Sequence, residues 1–329
     1  MNGNPWEVYD LILGTVHDTV SIDHLCLGLT WTCCRTALGT GFAQSPGSAS
    51  RVLSFPGTVA GRAATEVAAW LKSWDPFEAT VGLAAANAAL NTADNELMRQ
   101  ATRLTGAAPA NLAVFEYFRP RLQRRKVVVI GRYPGLDSVL EGLDVTVLER
   151  QPGNRDLPDP AAEYLLPQAD WVFLTATSLI NKTFPRLSEL AAEAVTVLMG
   201  PSTPWLAGFA DHGIDFLAGV VPVDLDKAFT IASEGGGTRL FGEGVRYAVA
   251  DIGAARLAGL KAEIAETAAK RAALQQAMDA WYQEGKRGRF PEYAGLERIT
   301  ATLSRLDLAY KRQWDARTRT TQREAVQAI

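Results

Sequence analysis

Four short apolar runs in the middle of this chain end on residues whose side chains can hold an anion. VVVI is followed by Gly131, Arg132 and Tyr133, and VTVL by Glu149 and Arg150. WVFL leads into Thr175, Thr177, Asn181 and Lys182, and TVLM into Gly200, Ser202 and Thr203. Each run is too short for a helix and too uniformly apolar for a half-solvated strand. The runs therefore read as central strands of a parallel sheet covered on both faces. In open α/β sheets ligands sit just outside the carboxyl ends of the strands, where these residues fall.

Known phosphate and nucleotide motifs match only in part. IGRYPGLDSVL places Gly131 directly after a strand, and Glu149 stands where an acid would hold a ribose hydroxyl. Tyr133-Pro134, however, replace the second glycine of G-x-G-x-x-G. A Rossmann-type sheet serving another ligand accounts for the same residues. TATSLINKT carries Lys182-Thr183 after a strand but lacks both Walker glycines, which excludes a P-loop. What remains is a turn of hydroxyl and amide groups feeding a helix N-terminus, suited equally to an anion and to simple capping. GPSTP, expected to open a helix at Pro204, has the same two readings, and SEGGGT (233–238) reads as a surface loop, with an anion cradle as the alternative. His24, Cys26, Cys33 and Cys34 fall on one expected strand pair, where thiolates and an imidazole suit a soft or borderline metal. Their spacing matches no C-x-x-C site. The isolated His212 reads as structural.

The elements that must position these residues follow from periodicity. A short amphipathic helix is expected over 5–18. VSIDHLCLGLTWTCCRT (20–36) alternates like an antiparallel strand pair turning at 28–30. A Gly/Ser/Pro-rich loop follows over 39–50. Alanine-rich helices should fill 60–91 with a break at Pro76, placing Asn87 and Asn91 one turn apart. Strands are expected at 127–130, 144–148, 171–175, 195–199 and 214–217, with another at 247–252, alternating with helices in a parallel α/β pattern. From Gly253 the composition turns to Ala, Glu and Lys, giving two long helices broken near Gly285–Pro291. The expected organisation is an α+β domain over 1–95, a linker over 96–126, an α/β sheet domain over 127–252 and a helical hairpin over 253–329.

The 329 residues suffice for two domains, and 47% hydrophobic with 21% charged residues is ordinary for a soluble globular protein. A net charge of −3 supplies no bulk electrostatics for nucleic acid. No apolar run approaches the roughly 20 residues that cross a bilayer, and the start lacks a secretory pattern. A cytoplasmic location with three reduced cysteines is expected.

IGRYPG, LERQPGNRDLPDPAAEYLLPQADWVFLTATSLINKTFPRL, LMGPSTP, HGIDFLAGVVPVD and SEGGGT together resemble the bacterial and archaeal family known as the "putative heavy-metal chelation" domain, a Rossmann-like module. CLGLTWTCC and LKSWDPFEATVGLAAANAALN resemble the enolase-N-terminal-like domain that precedes it. The resemblance covers roughly residues 5–252 and leaves the terminal hairpin as an appended module. It implies a role in transition-metal or metallocofactor metabolism, with a transition metal or metal chelate as the bound group. Carried over by position, the ligand cleft would use Gly131, Tyr133, Pro134, Glu149, Thr175, Thr177, Asn181, Lys182, Ser202 and Thr203. Thr30, Asn87 and Asn91 would reach it from the leading domain. That set has no histidine or cysteine, which suits an oxyanion or a chelated metal better than a naked soft metal.

The expected function is a binding protein for an anionic small molecule or transition-metal chelate, with no nucleic-acid or membrane partner. The hairpin is the expected docking surface for a second copy or a protein partner. The alternative is an enzyme using a nucleotide or S-adenosylmethionine-like cofactor, with Glu149 on a ribose and Lys182 near the reacting group.

Overall fold

The computed structural model describes residues 4–17, 20–48, 52–106 and 109–327, with side chains of the last helix described to residue 317. The expected helix over 5–18 and loop over 39–50 thus each end on residues outside that set. So do two residues, 107 and 108, of the expected linker.

Residues 1–252 form one compact unit, and 253–329 form a second. In the first unit, β1 (Ile22–Leu27), β2 (Trp31–Thr36) and β3 (Thr40–Gln44) make a three-stranded antiparallel sheet in the order β1-β2-β3. β3 lies in the stretch expected as a loop, because its glycine reads as a turn signal while serving a packing need. A Cβ on Gly41 would stand 2.2 Å from the Ala84 carbonyl oxygen and 2.2 Å from the Ala88 amide, so only glycine lets β3 lie against the helix Pro76–Leu90. That helix starts where Pro76 predicts. Asp75 caps it, accepting from the Phe77 and Glu78 amides at 2.8 and 3.0 Å, and Pro76 occupies the first turn, where no donor is missed. Its alanine-rich surface is buried nearly all round.

The large sheet has eight strands: β4 (Thr102–Arg103), β5 (Val127–Ile130), β6 (Val145–Glu149), β7 (Leu157–Pro158), β8 (Trp171–Thr175), β9 (Val195–Met199), β10 (Phe216–Pro222) and β11 (Val245–Asp251). Their spatial order is β4-β11-β10-β9-β8-β5-β6-β7, parallel from β7 through to β10. β5 and β9 are buried along their whole length, as continuous apolar runs require. The parallel sheet expected from the sequence carries an antiparallel edge. The chain leaves β10 at Pro222 and re-enters opposite it at Val245, so β11 runs antiparallel, and β4 pairs antiparallel beyond it. The stretch expected as a linker therefore supplies an edge strand. It also supplies the helix Ala113–Phe118, whose Phe115 and Phe118 pack against Phe173, Trp171 and Phe216. Each such buried aromatic contributes roughly 2–3 kcal/mol of transfer free energy.

In the second unit, helices Ala254–Gln283 and Tyr293–Gln327 pack against each other across a turn in which Gly285 and Gly288 take positive φ. No helix of the described residues is long and apolar enough to cross a membrane.

Candidate functional site

The chain runs from β5 outward to β6 and β7, then returns to place β8 on the other side of β5. That reversal makes the carboxyl ends of β5 and β8 the topological switch point, where the sheet leaves a crevice. A cleft of about 840 Å³ opens there, walled by these strand ends and by Thr30, Trp31 and Gln44 of the small sheet. Gly131 makes the first bend out of β5 with φ +98°, a conformation that favours glycine, while its amide donates to the Leu148 carbonyl at 2.8 Å.

Glu149 braces the wall. Its Oε2 accepts from the Arg132 amide at 2.8 Å, and its Oε1 accepts from the Arg150 and Gln151 amides at 2.7 and 3.3 Å. The Arg132 side chain turns away to Asp156 and Asp137, and this pairing holds the Asp156 carboxyl below its ordinary range. The other carboxylates of the cleft are also engaged: Asp159 pairs with Arg150, and Glu163 with Arg186.

A chain of hydroxyls crosses the floor. Thr175 donates to Thr177 Oγ1 at 3.1 Å, and Thr177 donates to Gln44 Oε1 at 2.9 Å. The Gln44 amide donates to Ser202 Oγ, also at 2.9 Å. Trp31 Nε1 donates to the Gly237 carbonyl at 3.0 Å, bringing the 233–238 loop to the rim.

Two polar groups stand apart from this pairing. Lys182 lies on the cleft wall in the left-handed region (φ +63°), with Nζ donating to the Ile180 carbonyl at 3.0 Å and lying 5.6 Å from the Tyr9 ring centre. Burial pulls its ammonium down to about 8. Among the described residues no carboxylate is recorded in a salt bridge with it, whereas every arginine of the cleft has one. The Tyr133 hydroxyl is fully buried beside Thr175, and burial first of all raises it to about 12. Once the paired charges cancel, the described residues leave the cleft with one cation, Lys182, and the buried Tyr133 hydroxyl.

Of the residues expected from sequence, Thr30, Gly131, Tyr133, Pro134, Glu149, Thr175, Thr177, Asn181, Lys182 and Ser202 line this cleft. Asn87, Asn91 and Thr203 do not. Asn87 is fully buried behind the wall, its Nδ2 donating to the Phe42 and Ser202 carbonyls at 2.9 and 3.0 Å. Asn91 donates to the Thr203 carbonyl at 3.1 Å and accepts from the Trp205 amide at 2.9 Å. Both asparagines clamp the 200–205 turn to the helix Pro76–Leu90. That turn opens no helix at Pro204; the next helical residues are Ala207–His212. The helix after Thr175 has only four residues, Thr177–Ile180, too few aligned peptides for a useful dipole. The anion-attracting feature of that turn is thus the Lys182 side chain. Thr238 comes from the SEGGGT stretch expected as a surface loop; Trp31, Gln44 and Tyr247 line the cleft without having been singled out. Only the alternation of β2, which puts Trp31 at its start, carries any sequence signal for them.

The soft-metal set on the small sheet does not converge. Cys26 and Cys33 are direct cross-strand partners, and the neighbouring Cys33 thiol draws Cys26 down to about 7. Cys34 points through to the opposite face and joins the core. Among the described residues no group of three or more His, Cys, Asp or Glu is placed to hold a metal ion.

Residues 113–251 match the DUF364 family model and residues 9–90 the DUF4213 model, both described as putative heavy-metal chelation. An uncharacterized protein of Methanocaldococcus jannaschii is 29% identical over 177 residues, which is 51% of this chain and 64% of that protein. The chain thus spans somewhat under two thirds of that relative's length. A solved structure of a DUF364-family protein with unknown function from Desulfitobacterium hafniense superposes with a TM-score of 0.67 at 29% identity, covering 75% of this chain and 98% of the other. One from Pyrococcus horikoshii superposes with a TM-score of 0.63 at 19% identity, covering 75% and 99%, and speaks for the fold alone.

Proposed function

We propose that this chain, which matches the putative heavy-metal chelation families over two segments, binds an anionic small molecule or an anionic transition-metal chelate in the cleft at the switch point. The observation that carries this reading is the charge left over there. Each carboxylate of the wall is paired or bonded to backbone amides, while Lys182 has no recorded counter-ion among the described residues. A half-buried lysine on a cavity wall gains an ion pair there at a reduced desolvation cost once its ammonium turns from the Ile180 carbonyl to the ligand. The buried Tyr133 hydroxyl and the Asn181 amide on the same wall can add directed hydrogen bonds to an oxyanion.

A bare transition-metal ion fits this donor set poorly, because no cleft carboxylate is free and neither histidine nor cysteine lines the wall. A metal already wrapped in a carboxylate- or phosphate-bearing chelator presents the negative surface that the cleft can bind. We place the protein on that basis in metal or metallocofactor metabolism, with its leading module of the enolase-N-terminal-like type. The nucleotide-enzyme alternative is weakened by Glu149, whose two oxygens already accept three backbone amides instead of standing open for a ribose.

Calorimetric titration with phosphate, molybdate, citrate and iron(III) citrate tests the proposal. Saturable binding of at least one of them, lost in Lys182→Met and weakened in Tyr133→Phe, is expected. Binding that is indifferent to both substitutions, or no binding across the panel, would reject the cleft as an anion site.

A further inference from the structure

The strongest chemistry outside the cleft lies on the small sheet, where Cys26 of β1 and Cys33 of β2 stand directly opposite each other. Directly opposed residues of an antiparallel pair have Cβ atoms roughly 4.5–5.5 Å apart on the same face. As cross-strand partners the two cysteines project from the same face of the sheet, and the neighbouring Cys33 thiol draws Cys26 down to about 7. Two sulfurs so placed can share one atom at the ~2.3 Å of an ordinary metal–thiolate bond.

The surroundings of the pair are built. His24 and Cys26 on β1 stand opposite Arg35 and Cys33 on β2, so all four share a face. The helix Leu225–Ser233 covers that face. On one side of the sulfurs the His24 ring lies 6.3 Å from that of Phe229, and Arg35 pairs with Asp226 at 2.6 Å. On the other, a Cβ on Gly28 would come within 2.2 Å of the Ala232 carbonyl oxygen, which shows how closely the helix is seated. Cys33 is fully buried and Cys26 half-buried, so one sulfur stays reachable from solvent.

We infer that Cys26 and Cys33 form a two-thiolate site for a soft monovalent cation of the copper(I) class, separate from the cleft. Thiolates select soft ions, and copper(I) is satisfied by two of them in a near-linear arrangement. Zinc requires four ligands, and among the described residues no third or fourth donor of the usual kind is placed to supply them. Binding replaces each thiol S–H by a sulfur–metal bond. Two protons leave for each ion bound, and no electron is transferred.

The full-length protein, reduced and freed of metal under anaerobic conditions, is titrated with copper(I) against a colorimetric copper(I) chelator. Wild type is expected to withdraw one equivalent per chain, and Cys26→Ser to withdraw none while keeping its far-ultraviolet circular dichroism and thermal transition. Cys26 is the half-exposed partner, so this substitution spares the core; Cys26→Ala is the second variant should serine unfold the chain. Lys182→Met, which alters the cleft alone, is expected to retain the equivalent. Wild type that leaves copper(I) with the chelator, or a folded Cys26 variant that still takes up the full equivalent, overturns the assignment.

Discussion

Thr177 donates its hydroxyl to Gln44 Oε1 across 2.9 Å, and with that bond the end of β8 is tied to the end of β3. One partner comes from the large parallel sheet and the other from the small antiparallel one, so the bond closes the cleft floor between two layers of a single unit. Gln44 extends the brace through its backbone N–H, which donates to Ser202 Oγ.

Thr177→Val keeps the shape of the side chain and removes the donor, stranding Gln44 Oε1. A loss of about 0.5–1.5 kcal/mol in unfolding free energy is expected from chemical denaturation. With Gln44→Met as the second change, the double-mutant cycle should return a coupling of roughly 0.5–1 kcal/mol. Strict additivity would show that the two layers are held together by packing alone.

This brace also marks where sequence stops being legible. The parallel strands were readable because central strands need uninterrupted apolar runs, and VVVI, WVFL and TVLM supply them. The strand ends on the cleft were readable because a parallel sheet always delivers its carboxyl ends to one edge. β3 was not, since TGFAQ spends its glycine on seating against a helix distant in sequence, a need that local composition cannot express. Asn87 and Asn91 were placed on the correct face of the correct helix, but whether an amide reaches a ligand or a neighbouring carbonyl depends on where the 200–205 turn lands. The reversal of β11 was hidden for a similar reason, because helices between two strands permit either a crossover or a return.

Lys182 should impose opposite pH dependences on stability and on binding. Burial lowers its proton affinity from 10.5 to about 8, so between those values the unfolded chain holds more protons than the folded one. Stability from this group therefore rises as pH climbs through that window, is complete above it, and is lost as pH falls through about 8. Anion affinity requires the ammonium; it should be level below about 8 and decline above. Molybdate titrations and urea midpoints measured from about pH 6.5 to about pH 10 check both trends, and Lys182→Met should flatten both. An affinity that stays constant across this range would remove the ammonium from the binding reaction.

Glu149 is expected to behave as a structural brace. Glu149→Gln turns one of its two oxygens into an amine that faces a backbone N–H, so two donors meet where one had an acceptor. A destabilisation of about 1–3 kcal/mol follows from the unsatisfied amide. Thermal-shift measurements with NAD and with S-adenosylmethionine should show no stabilisation of the wild type. A shift with either that vanishes in Glu149→Ala would instead favour the nucleotide-dependent alternative.

Asn87 and Lys182 separate structure from binding in a single comparison. Asn87 is fully buried, and its one amide group serves two carbonyls, Phe42 on β3 and Ser202 in the turn after β9. Asn87→Ala leaves both without that donor and opens a small void between helix and turn, a combined cost of about 2–4 kcal/mol. Because Asn87 does not line the cleft, the fraction that remains folded should bind phosphate within about 2-fold of wild type, a change below 0.5 kcal/mol. Lys182→Met should do the reverse, holding or slightly raising the denaturation midpoint near neutral pH while affinity falls by about 10²-fold, the scale of one desolvated ion pair. Calorimetry on both variants at a temperature where Asn87→Ala is still folded decides the matter. If Asn87→Ala lost affinity as steeply as Lys182→Met, the clamp behind the wall would have to be counted as part of the binding surface itself.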